Sequence, residues 1–177
     1  MVGAFLFSIG LFAICSFGLN LYTGKIGYVL INKFEYVYEL LLSLLGNFIG
    51  TFLVARLLLL TRVVSNIQAK AIKMSFVKVS DGLLSIFILS VFCGMLMYIA
   101  VNNYKKVTSE IGKYIGIFMC VMVFILCGFE HCVANMFYFS VANIWSFKTL
   151  LYLLIMILGN SFGSIIIAYF YNLYYKN

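Results

Sequence analysis

Long apolar runs separated by short polar ones make up almost the whole chain. A helix needs about 20 apolar residues to cross a bilayer. Five hydrophobic units qualify, at roughly 2–32, 40–61, 82–101, 114–145 and 149–172. The first and fourth are too long for one plain helix, and each is interrupted midway. The first breaks at Gly18-Leu19-Asn20-Leu21-Tyr22-Thr23-Gly24-Lys25, the fourth at Gly128-Phe129-Glu130-His131-Cys132-Val133-Ala134-Asn135-Met136-Phe137. The chain has no proline, so glycine and polar residues must make these breaks. Each unit reads as two half-helices joined by a loop. Non-helical backbone at membrane depth is tolerated only where it is buried in protein or lines a cavity.

A second correspondence follows the breaks. Gly46-Asn47-Phe48-Ile49-Gly50 and Gly159-Asn160-Ser161-Phe162-Gly163 both read Gly-Asn-x-x-Gly, and each lies in the unit after a broken one. Small residues at that spacing let helices approach closely, and the asparagine can bond to a neighbour. Paired with the two breaks, the motif predicts a transporter built from inverted repeats with its site near the midplane. The second half then holds a plain span, a broken span and a Gly-Asn span. The first half holds only the last two, so one helix is expected to be missing before Met1.

Composition supports a membrane protein. The 177 residues are 65% hydrophobic and 10% charged, with a mean hydropathy of +1.12, far beyond a soluble domain. Residues 1–177 read as one transmembrane domain without a signal peptide. The net charge of +7 lies between apolar runs rather than along one face, which argues for membrane flanks and anion attraction and against nucleic-acid binding. Arg62, Lys70, Lys73, Lys78 and Lys148 flank one side and Lys33, Lys105, Lys106, Lys113 and Lys176 the other, so the positive-inside rule gives no orientation. The five cysteines fall in apolar stretches and are expected to be buried thiols rather than a disulfide framework.

The single histidine, His131, carries the candidate chemistry. A neighbouring carboxylate and imidazole at bilayer depth are costly and point to a path for a small polar solute. Cys127, His131 and Cys132 lack metal-ligand spacing. No nucleophile–base pair or phosphate loop indicates catalysis, and no cofactor is expected.

In order along the chain, these motifs resemble the formate–nitrite transporter family of pentameric anion channels. Gly128-Phe129-Glu130-His131 with Ala134-Asn135-Met136 is similar to its central-histidine loop. Leu21-Tyr22-Thr23-Gly24 is similar to its threonine-bearing loop, and Gly46-Asn47-Phe48-Ile49-Gly50 to its third span. The resemblance implies an all-α, multi-pass protein of a bacterial plasma membrane, with an aquaporin-like inverted repeat and five of six spans present. It implies a homopentamer in which each protomer passes formate, nitrite, hydrosulfide or a similar anion, with or without a proton. Carried onto matching positions, it places Thr23 and His131 at the pore centre. It places Phe7, Leu11, Leu21, Tyr22, Phe92 and Phe124 at apolar constrictions, and Lys73 in a vestibule. Glu130 is expected to brace the loop through backbone N–H groups, and Asn135 to cap it.

Three departures accompany the resemblance: the first span, an acidic residue where Asn20 stands, and an asparagine where Leu89 stands, with Ser90 the nearest polar substitute. The alternatives are a non-conducting truncated remnant and an aquaporin-like pore for neutral solutes. The physics favours an acid path. A bare anion in hydrocarbon is far costlier than its neutral acid. An imidazole, with an ordinary pKa near 6.5, is suited to proton exchange near neutrality, and an uncharged threonine hydroxyl can bond an anion without trapping it.

Overall fold

The computed structural model describes residues 1–175; Lys176, counted above among the flanking charges, lies outside the described residues. The elements are α1 (Val2–Ser16), α2 (Tyr22–Lys25) continued by a 3-10 turn (Ile26–Ile31), α3 (Glu35–Leu59) and α4 (Val64–Ser80). They are followed by α5 (Leu83–Lys106), α6 (Glu110–Leu126), α7 (Cys132–Ala142) and α8 (Phe147–Tyr175). Helices α3, α5 and α8 are long and apolar enough to cross a membrane singly. The pairs α1/α2 and α6/α7 are the two broken units.

One expectation changes. The basic stretch 62–78, between the second and third apolar units and expected only as flanking charge, folds largely as α4. Its Ala71, Ser75 and Val79 are buried at a four-residue spacing, which gives the helix one buried stripe. It lies mainly against α7.

Both breaks are built alike. Gly18 and Gly128 adopt left-handed backbone, at φ +65° and +69°, where a residue with a Cβ is disfavoured. One residue later the chain folds back: Leu19 N–H donates to Ile14 O and Phe129 N–H to Phe124 O, each at 2.9 Å. This is the six-to-one bond that closes a helix C-terminus on glycine. Three residues past each glycine stands the N-cap of a new helix, Leu21 for α2 and His131 for α7.

The Gly-Asn motifs hold the other side of each break. Asn47 Oδ1 accepts from Tyr22 N–H at 2.9 Å, and its Nδ2 donates to Asn20 O at 2.9 Å. Asn160 Oδ1 accepts from Cys132 N–H at 2.8 Å, and its Nδ2 donates to Glu130 O at 2.8 Å. Each amide therefore straddles one residue, Leu21 in the first half and His131 in the second. Asn160 Nδ2 also donates to Ser90 O on α5 at 2.8 Å.

The glycines of the two motifs differ in surroundings. A Cβ at Gly159 or Gly163 would collide with α5, at Ser90 and Phe87 or at Val91, so α5 and α8 lie backbone to backbone and form the largest helix contact. A Cβ at Gly46 or Gly50 would meet nothing within 4 Å. The close-packing role read from the motif holds for the second copy alone. The halves also interlock: α7 packs on α3 of the first half, and the 3-10 turn packs on α8 of the second.

Removing the Asn160 amide strands buried backbone groups. Asn160→Ala is expected to cost roughly 2–4 kcal/mol, since an unsatisfied buried group costs about 1–3 kcal/mol. Asn47→Ala, in a more exposed setting, should cost less than half of that. Unfolding midpoints of both variants in detergent would check the difference.

Candidate functional site

His131 serves as the N-cap of α7, with its Nδ1 accepting from Ala134 N–H at 3.1 Å. An imidazole nitrogen that accepts carries no proton, so in the neutral ring the proton sits on Nε2. Nε2 lies 2.8 Å from Thr23 Oγ1 and donates to it. The structure thus brings Thr23 and His131 together across the two breaks. Thr23 is fully buried while His131 is 7% exposed, so a solute at this point meets the imidazole first.

Glu130 and Asn135 are placed differently from expectation. Among the described residues, no backbone N–H bonds the Glu130 carboxylate. It accepts from Lys78 Nζ at 2.7 and 2.6 Å and from Asn135 Nδ2 at 2.6 Å. Asn135 lies within α7 and also donates to Met156 Sδ at 3.1 Å; the cap is His131 itself. A buried carboxylate is tolerable only when its charge is paired and its lone pairs are bonded, and side chains from two helices meet both needs. The Glu130 main chain is used as well, its N–H donating to Leu89 O at 3.3 Å. Ser90 does not replace the missing asparagine as a pore group, because its hydroxyl donates to Ile86 O in its own helix.

The lysine that reaches the site is Lys78, not Lys73. Five residues separate them on α4, which sets them roughly 140° apart around the helix at 3.6 residues per turn. Lys73 is exposed on the surface of the chain.

Three cavities follow one another along the site. The first, about 290 Å³, has Lys78, Phe129 and Asn135 in its lining. The second, about 410 Å³ and largely apolar, is lined by Leu11, Leu21 and Val121 among others. Phe7, Phe124, His131, Ala134 and Tyr138 line both and so form the wall between them. Phe124 is the pillar of that wall. Its ring lies edge-on to Phe7, with centroids 5.8 Å apart, and stacks on His131 at 5.7 Å. The third cavity, about 170 Å³, shares Ile14 and Leu21 with the second and opens onto Lys25 and Lys105.

Four of the six expected constriction residues, Phe7, Leu11, Leu21 and Phe124, line the central cavity. Tyr22 and Phe92 do not. Tyr22 is buried against α8, its hydroxyl 2.8 Å from Ser161 Oγ. Phe92 is 45% exposed and stacks on Phe129 at 5.3 Å, beside the loop. The cysteines are also mixed: Cys93 and Cys132 are buried, but Cys127 is exposed.

From the sequence, Lys78 and Lys105 read as membrane flanks and Lys25 as part of the first break, none of them as a site residue, and Tyr138 was not singled out. Lys78 could have been found as the lysine on the Ala71–Ser75–Val79 side of an amphipathic helix. Tyr138 could have been found from its spacing of seven from His131, two turns along one helix face.

The match to known proteins agrees with this geometry. The sequence matches the family described as formate/nitrite transporter over residues 1–175. No curated protein sequence matches it. Among solved structures, one similar fold is a pentameric formate channel with formate bound, at TM-score 0.82 and 23% identity, covering 99% of this chain and 83% of that one. Another is an FNT family ion channel, at TM-score 0.81 and 23% identity, covering 99% of this chain and 76% of that one. These likenesses establish the all-helical channel fold. With the family match running along virtually its whole length, the chain belongs to the formate/nitrite transporter family.

Proposed function

We propose that this chain is one protomer of a homopentameric channel in a plasma membrane, and that each protomer passes a small monovalent anion or its neutral acid. The observation that carries this reading is the series of three cavities with His131 in a dividing wall. Lysines stand at both ends of the series. At one end Lys25 and Lys105 raise the local anion concentration by attraction. At the other, the charge of Lys78 is balanced by Glu130, so the pair itself neither draws nor repels an anion strongly. The N-termini of α2 and α7 meet at the centre, where the positive ends of half-helices favour an anionic solute.

The chemistry at the wall follows from the tautomer. Neutral His131 offers one proton, on Nε2, and acts as a hydrogen-bond donor. Losing that proton outright would leave imidazolate, which is inaccessible near neutral pH. Net transfer to the solute therefore requires Nδ1 to be protonated first, which displaces the Ala134 N–H. Transfer from Nε2 to an anion oxygen then leaves a neutral ring protonated on Nδ1 and a neutral acid in the pore. The acid crosses the apolar walls at far lower cost than its anion.

Two outcomes are expected. In proteoliposomes, formate and nitrite flux should exceed glycerol flux and rise as the pH falls, because acid favours the doubly protonated imidazole that net transfer requires. His131→Phe should remove that pH dependence; an unchanged profile would refute the role of His131, and glycerol as the preferred solute would refute the anion reading. The double substitution Lys25→Met and Lys105→Met should lower flux several-fold at low anion concentration and low salt, with little change at saturation, as expected for electrostatic steering. A concentration series at two ionic strengths would check it.

A further inference from the structure

Resting on the anion-channel reading, we propose that Tyr138 is a selectivity residue, whose hydroxyl favours oxygen-bearing anions over hydrosulfide. His131, Ala134, Asn135 and Tyr138 stand at spacings of three, four and seven, which puts them on one face of α7. At 1.5 Å per residue, Tyr138 lies about 10 Å along the axis from His131. It is half-buried and belongs to the wall between the first two cavities. Of the five wall residues, only His131 and Tyr138 have side chains with hydrogen-bonding groups.

The other polar groups there are already engaged. Lys78 is held by Glu130, Asn135 Nδ2 by Glu130 and Met156, and His131 by Thr23 and Ala134. Asn135 Oδ1 has no partner among the described residues, but it is an acceptor and offers an anion nothing. The Tyr138 hydroxyl makes no hydrogen bond with any of the described residues. It is the uncommitted donor on the lining of both cavities.

A phenol O–H gives a short, charge-assisted bond to a carboxylate or nitrite oxygen. To the larger, softer sulfur of hydrosulfide it gives a weak one. Being uncharged, it discriminates without holding the ion fast. The preference is thus set one step before or after the imidazole, at a group that need not exchange protons.

Tyr138→Phe keeps the ring and removes only the donor. In proteoliposomes it should lower formate and nitrite flux about fivefold or more, in line with the strength of hydrogen bonds to charged groups. Hydrosulfide flux should be retained, which also reports a folded pore. A formate-to-hydrosulfide ratio unchanged from the unsubstituted protein, whether both fluxes hold or both fall in parallel, would overturn the assignment to Tyr138 alone. An unsubstituted protein that carries none of the three anions would instead overturn the channel reading beneath it.

Discussion

Every backbone donor and acceptor inside a membrane needs a partner, and two asparagine amides meet that need where the helices stop. At each break a glycine ends one helix on its own carbonyl, and an amide from the following span takes the N–H and C=O on either side of one residue. Without this bonding, irregular backbone could not persist at that depth. With it, the chain can turn in mid-membrane, start a second helix and leave a side chain facing a cavity. The interlocking of α7 with the first half and of the 3-10 turn with the second depends on these two turns being made.

Charge at the site is organised by separation. Glu130 adjoins His131 in sequence, yet its carboxylate is bound by Lys78 and Asn135 and is only 4% exposed. An unpaired carboxylate beside the path would repel the anions the pore is proposed to carry. Pairing neutralises it and turns it into a tie between α4, the break and α7. Lys25 is paired more loosely, 3.6 Å from Glu39, and Lys105 packs over the Tyr28 ring at 4.0 Å. Positive charge is therefore more available at the mouth bounded by Leu21.

Much of the fold was legible because membrane helices announce themselves by length, and their breaks by glycine in an apolar run. The two halves were legible because the same motif recurred after each break. What escaped depended on three-dimensional partners. Residues 62–78 are too polar to read as a span, so their helix, and with it Lys78, showed only in the narrow stripe of Ala71, Ser75 and Val79. Glu130 was assigned backbone donors because its side-chain donors, fifty-two residues before it and five after, could not be seen as neighbours. Tyr22 and Phe92 were expected at constrictions because the family resemblance carries that role to their positions. Nothing in their order distinguishes a ring on the path from one packed beside it.

The repeat maps His131 onto Leu21, two side chains with nothing chemical in common. Each amide grips only main-chain atoms, which every residue possesses, and is indifferent to what projects between them. The turn is therefore a socket. Its architecture and its chemistry are separable, so the held residue can be exchanged for a different function without redesigning the scaffold. One copy holds an isobutyl side chain in that socket, and the other an imidazole.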